Sequence, residues 1–191
     1  MKVHTVRAST LLLCLLLVPL RALAADPVFS YDYLEIGHQH LTPQTSESGS
    51  GTYADLSYTI LDKVQVRAGY DRYTYPLDVQ YKDYSIGISG ETAISDSTDA
   101  YTDLLYLNNR YEQLTTSSTD DGYRMAIGLR HRAWAWVELD GYVAHDYLAQ
   151  SSNEAGVAIW FTPIPHAALG LGYAHDSLYN NTASLKLRLY F

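Results

Sequence analysis

Cysteine is nearly missing from this chain. The single one, Cys14, lies inside an apolar run near the start and follows three leucines rather than the small residues that a lipoprotein cleavage site requires. Any fold formed by the rest of the chain is therefore stabilised without disulfides. Long apolar runs are absent as well. Beyond the first two dozen residues no stretch approaches the roughly 20 apolar residues of a spanning helix, and none has apolar residues at helical spacing. Basic residues form no cluster, which removes the electrostatic basis for binding nucleic acid. No Pro/Ser-rich linker or break in composition divides residues 25 to 191, so one domain is expected there.

What the start of the chain does contain is a leader pattern. Lys2 and Arg7 precede the apolar run Leu11 to Leu20, and Ala22-Leu23-Ala24 supplies small residues before Ala25-Asp26-Pro27. This predicts a secretory signal peptide, residues 1–24, cleaved after Ala24. Cleavage removes three of the 13 basic residues (Lys2, Arg7 and Arg21) and none of the 21 acidic ones, which deepens the net charge from −8 to −11.

Tyrosine is abundant, with 18 residues against three Phe and three Trp. Its apolar ring and polar tip suit boundaries between dry and wet surroundings. The remaining pattern is one of alternation. Ten strands are predicted, at 29–40, 52–60, 64–75, 83–94, 100–112, 122–131, 135–147, 154–161, 167–175 and 182–191. Leu56, Tyr58 and Ile60 oppose Asp55, Ser57 and Thr59. Met125, Ile127 and Leu129 oppose Arg124, Gly128 and Arg130. Leu169, Leu171 and Tyr173 oppose Ala168, Gly170 and Gly172. In the first strand Glu35, Tyr31 and Tyr33 are expected to point inward and Leu34 and Ile36 outward. Trp136 is grouped with Glu138, Asp140 and Tyr142 on the polar parity. The faces of 100–112 cannot be sorted, because Asp103, Leu105 and Leu107 share one parity and Leu104, Tyr106 and Arg110 the other.

A soluble sandwich would also satisfy such alternation. Three features favour a barrel in a membrane. Brief connections (61–63, 95–99, 132–134, 162–166) alternate with generally longer polar ones (41–51, 76–82, 113–121, 148–153, 176–181), as in outer-membrane barrels. Tyr70, Tyr73, Tyr75, Tyr142, Tyr147, Tyr173 and Tyr179 gather toward strand ends, where an aromatic girdle would lie. The polar parity carries Glu35, Asp55, Arg67, Asp71, Glu91, Arg124, Arg130, Glu138, Asp140, Lys186 and Arg188, mixed in sign and interspersed with small residues, which suits a narrow polar lumen. An Arg or Lys facing lipid at mid-membrane would cost roughly 2 to 4 kcal/mol. The fold class expected is thus all-β, an antiparallel transmembrane up-and-down β-barrel of ten strands, with eight as the alternative if two strands merge.

The last residues, Leu185-Lys186-Leu187-Arg188-Leu189-Tyr190-Phe191, alternate and finish on an aromatic. A closed barrel needs its last strand to pair with its first, since unpaired backbone in lipid costs several kcal/mol per group. This strand resembles the assembly signal of bacterial outer-membrane barrels. Together with Ser30-Tyr31-Asp32-Tyr33-Leu34-Glu35, Val66-Arg67-Ala68-Gly69-Tyr70, Thr102-Asp103-Leu104-Leu105 and Asp121-Gly122-Tyr123, it makes the chain similar to small gammaproteobacterial barrels of the OmpX and OmpA-transmembrane kind. The chain also resembles a ten-stranded, Tyr- and Gly-rich family once discussed as diffusible signal factors. It departs from that pattern in having Ile36-Gly37 where a Gly-Gly pair is usual, and Phe rather than Trp at the end. The resemblance implies a monomer in the bacterial outer membrane. Its implied partners are outer-membrane lipids and lipopolysaccharide, periplasmic chaperones during export, and the barrel-assembly machinery acting through the strand ending in Phe191. The implied role is structural or surface-interacting, without cofactor.

Three chemical readings compete with that role. The mixed inward charges could line a narrow diffusion channel, although mixed signs favour a salt-bridged plug. His175 and Ser177 share a parity, and His-x-Ser near the last hairpin is similar to the motif of lipid A deacylases. Ser177 is followed by Leu178-Tyr179-Asn180 rather than that family's run, however, and Asp176 should point away from the histidine. His38 and His40, at i and i+2, could form a metal clip with His145 or His175, but no further ligand has metal spacing. The sequence therefore nominates no catalytic, cofactor or metal residues. Gly49-Ser50-Gly51 with Ser46 and Ser48, and Thr115 to Thr119, read as flexible polar loops. Asn180-Asn181-Thr182 fits a glycosylation sequon that has no use in a bacterial export product.

Overall fold

The computed structural model describes residues 28–43, 48–76, 79–113, 116–178 and 180–191. The expected signal peptide, Ser46, Thr115 and Tyr179 lie outside the described residues. Ten strands follow one another: β1 (Tyr33–Pro43), β2 (Gly49–Leu61), β3 (Val64–Tyr75), β4 (Val79–Ser95), β5 (Thr98–Gln113), β6 (Thr116–Trp134), β7 (Val137–Tyr147), β8 (Ser152–Ile164), β9 (Ala167–Asp176) and β10 (Asn180–Tyr190). Each pairs antiparallel with its sequence neighbours, and β1 pairs with β10 to close the barrel. The closing seam runs from Tyr33 opposite Tyr190 to Pro43 opposite Asn180. Because all ten strands pair separately, the eight-stranded alternative does not hold.

Period-two alternation decides what each strand presents. Outside lie Leu56, Ile86, Ile88, Ile127, Val143, Ile159, Leu171 and Leu185, all exposed. Monomeric soluble proteins rarely expose so many neighbouring large apolar side chains on one face. Two rings of aromatic side chains bound it. At the end holding the short turns are Trp134, Trp136, Phe161, Tyr58 and Phe191, with Trp136 against Phe161 at 5.0 Å and Tyr58 stacked on Phe191 at 6.5 Å between ring centres. At the other end are Tyr70, Tyr84, Tyr106, Tyr123, Tyr147 and Tyr173, with Tyr70 against Tyr84 at 5.0 Å and Tyr106 against Tyr123 at 5.9 Å. Outward-facing charges begin only beyond the second ring: Arg72 follows Tyr70, Lys82 precedes Tyr84, and Asp121 precedes Tyr123. From Tyr84 to Ile94, β4 thus spans about the length a tilted strand needs to cross hydrocarbon.

The structure corrects the expected girdle. Tyr73, Tyr75 and Tyr142 line the lumen, whereas Tyr70, Tyr147 and Tyr173 face out. The reason is chemical as well as geometric: inside, the Tyr73 hydroxyl donates to Asp71 and that of Tyr142 to Glu154. Trp136 also departs from expectation. It sits in the turn after the register shift between Arg132 and Trp134 and packs outward on Phe161, not on the polar parity. Such a shift marks four hairpins at this end, at Thr59/Leu61, Ala93/Ser95, Arg132/Trp134 and Phe161/Ile164. Bulges there add the local twist that a closing sheet requires. At the opposite end the strands run beyond expectation. β6 starts at Thr116 rather than at residue 122, and it pairs with β5 out to Gln113. Strand pairing above the membrane needs no apolar face, so hydropathy alternation does not reveal it.

The unsorted strand is now resolved. Asp103, Leu105 and Leu107 are buried in the lumen, and Leu104 and Tyr106 face outward. Leu105 lies opposite Gly87, and Leu107 lies between Ser85 and Gly122, so the small neighbours leave room for inward leucines.

Candidate functional site: the lumen

The eleven inward charges read from parity are all on the inner face, and the fold sorts them by height. Nearest the turns, Arg188 donates through Nε and Nη2 to Glu35 at 2.9 and 2.7 Å, and its Nη1 lies 3.6 Å from Glu138. Arg130 holds Glu138 from the other side at 2.6 Å, and Lys186 lies 3.6 Å from Glu35. The Arg188 guanidinium lies over Trp160 at 3.9 Å and Tyr33 at 4.4 Å. Such stacking recovers part of what desolvating the ions costs. Close approach is made possible by Gly170, opposite Trp160, where an added Cβ would come within 2.6 Å of the indole. Gly37 does the same beneath Tyr53, whose hydroxyl donates to Glu35 at 2.6 Å.

At mid-height Arg67 bridges Asp55 at 2.9 Å and Asp103 at 2.7 Å, and the Tyr101 hydroxyl donates to Asp140 at 2.8 Å. Toward the loops acids dominate. Arg124 pairs with Asp146 at 2.7 Å and with Glu154 at 3.2 Å. Asp71 accepts from Gln39 and Tyr73, each at 3.0 Å, and Asp83, Asp120 and Asp176 line the same cavity. That cavity, about 1120 Å³, extends from Pro43, Pro76 and Gln113 at the loop end down to Tyr31, Arg130 and Arg188. The lumen is thus an acidic, tyrosine-lined cup above a cross-braced floor.

Sequence reasoning missed Asp83, Asp99, Asp103, Asp146, Glu154 and Asp176 as lumen residues. Asp103 belonged to the unsorted strand, and the others sat at or beyond the expected strand ends. Extending parity from Asp140 and Tyr142 to Asp146, or from Gly172 and Ala174 to Asp176, would have found two of them.

The hydrolase candidates are not assembled. His175 faces outward, and its Nδ1 lies 2.7 Å from Asn181 Oδ1. Ser177 lies past the end of β9, where its Oγ accepts the Asn153 amide at 2.9 Å. Asp176 is turned into the barrel, as expected, and its carboxylate accepts the Leu178 amide at 2.8 Å. His145 makes a separate outward pair with Asn153 at 2.8 Å. His38 and His40 both lie on the outer face of β1. Among the described residues no group of three or more His, Cys, Asp or Glu could hold a metal ion.

No protein-family profile matches the chain, and no curated protein matches its sequence. Solved structures do share its fold. It is similar to Neisserial surface protein A, at 13% identity over 85% of this chain and 98% of that one, with a TM-score of 0.49. It is also similar to the KdgM porin solved with disordered oligogalacturonate, at 9% identity over 82% and 99%, TM-score 0.49. For a bacterial polysaccharide outer membrane secretin the figures are 9% identity over 85% and 66%, TM-score 0.52. At these identities the likeness is one of fold alone, that of a closed barrel, which this chain builds from ten antiparallel strands.

Proposed function

We propose that this protein is a monomeric bacterial outer-membrane barrel, exported by a signal peptide cleaved after Ala24, with a structural or surface-interaction role in the envelope. The observation that carries the reading is the floor of the lumen. Arg188, Glu35, Arg130 and Glu138 cross-link four strands beneath the cup, with Trp160, Tyr33 and Tyr53 packed around them. In a narrow barrel, side chains that fill the lumen and neutralise one another oppose free diffusion. The apolar band and its two aromatic rings support placement in lipid. The short turns and both described ends of the chain lie on one side, the expected periplasmic side, and the long β5–β6 hairpin, with the start of β4 beside it, rises on the other, where surface partners would meet it.

Folded protein in a planar bilayer tests this reading. The expected result is the absence of steady single-channel current. A stable current from the wild type would replace the reading with a diffusion channel.

A further inference from the structure

A second cavity, about 160 Å³, lies at the turn end of the barrel, bounded by Phe29, Ser30, Arg130, Glu138 and Tyr190. The larger cavity descends to Tyr31 and to the same Arg130. Between the two stand the segment 28–31 and Arg130, with the Arg188–Glu138 pair beside them on the barrel wall. We propose that this segment is a displaceable plug, latched by Asp99, and that its withdrawal joins the two cavities into a narrow pathway for small cations.

The latch is specific. Asp99 is fully buried at the foot of β5. Its carboxylate accepts the backbone N–H of Val28 at 2.9 and 2.8 Å, that of Phe29 at 3.2 Å and the Tyr31 hydroxyl at 3.4 Å. Arg132 Nη2 donates to the Val28 carbonyl at 2.8 Å and Arg130 Nη1 to that of Ser30 at 3.2 Å. The Arg130 guanidinium lies 4.6 Å from the Phe29 ring centre and 4.7 Å from that of Tyr31, so both rings are held in the mouth.

Two features make the segment a plug and not a piece of wall. The barrel ladder starts at Tyr33, so all ten strands stay paired without residues 28–31. The latch also has a ready alternative partner. Arg130 lies directly across the β5–β6 ladder from Asp99, yet its guanidinium is turned toward Glu138 and the Ser30 carbonyl. When the segment leaves, Arg130 can take over the Asp99 carboxylate, and neither charge is stranded in the lumen. An element with two satisfied arrangements has the character of a two-state device. Selectivity follows from the cup, where Asp71, Asp83, Asp120, Asp146, Glu154 and Asp176 stand against Arg124. A net-acidic vestibule concentrates cations and repels anions.

This inference rests on the closed floor read above, and planar-bilayer recording separates the two. The chain starting at Ala25 should be silent for most of a recording. Deleting residues 25–31, or substituting Asp99→Asn, should raise the open fraction by about tenfold or more, since a charge-assisted contact is lost from the closed state alone. The openings should be cation-selective by reversal potential in a KCl gradient. In the Asp99→Asn chain, a cleavable thiol-reactive cross-linker joining Val28→Cys to Arg132→Cys should restore silence until it is cut; the chain from Ala25 onward has no other cysteine. Heat-modifiable gel migration confirms that each variant is folded. Silence of the folded deletion and Asp99→Asn barrels would overturn the plug and leave the closed-floor reading intact. Anion-selective openings would overturn the assigned pathway, and steady current from the wild type would overturn both readings.

Discussion

Glu35 carries more of the barrel's floor than any other carboxylate, because Arg188, Lys186 and the Tyr53 hydroxyl converge on it. Glu35→Ala leaves Arg188 buried with Glu138 at 3.6 Å as its remaining anion. Stranding a buried charge costs roughly 3 to 5 kcal/mol. Urea unfolding in lipid vesicles, followed through tryptophan fluorescence, should show a loss of that order, with a smaller loss for Glu35→Gln. His175 and Ser177 lead to the opposite expectation. Since one binds Asn181 and the other the Asn153 backbone, lipid A from cells expressing wild type, His175→Ala or Ser177→Ala should give matching mass spectra. An acyl chain lost with the wild type alone would make the protein a hydrolase. At this scale charge was more legible in the sequence than tyrosine. A buried charge needs a polar parity and betrays it, whereas Tyr73 and Tyr70 suit the lumen and the lipid boundary equally well.

Among the elements, the membrane-spanning parts of the strands were readable and their extensions were not. Lipid enforces an apolar face on Tyr84 to Ile94, but nothing enforces one on Thr116 to Thr119, where the chain pairs by backbone alone. The alternation that puts Tyr31, Tyr33 and Glu35 on one face extends the expected first strand back to residue 29, but β1 begins at Tyr33, and Phe29 and Tyr31 turn into the barrel mouth. At the loop end β4 is held to β5 by Lys82, which donates to Glu112 at 2.6 Å, and Arg110, also on β5, lies 2.9 Å from the same carboxyl group. The Lys82 hydrogen bond, followed by the charges of Lys82 and Arg110, holds the Glu112 carboxyl below its usual range. A carboxylate lowered in the folded state adds stability above its unfolded pKa, near 4.3, and loses it as pH falls through the lowered value. Amide exchange at the loop-side ends of β4 and β5 should therefore show less protection in acid than the intrinsic rates account for, and Glu112→Gln should remove that pH dependence. Equal protection ratios at pH 6 and at about pH 3 in the wild type would contradict the clamp.

For the molecule as a whole, closure and burial follow from a single pattern. Period-two alternation sends apolar side chains outward and charges inward, and only a closed sheet in lipid satisfies both sets along with the backbone at the edges. Thiol labelling on β4 in vesicles tests this most directly, with the chain from Ala25 onward, which has no cysteine, as background. Cysteines replacing Ile86 and Ile88 should react with a lipid-dissolved maleimide and resist a water-soluble one. Cysteines replacing Ser85 and Ser89, on the inner face, should resist the lipid-dissolved reagent. That alternation is the result expected of a closed membrane barrel; equal reaction of Ile86→Cys and Ile88→Cys with the water-soluble reagent would contradict it.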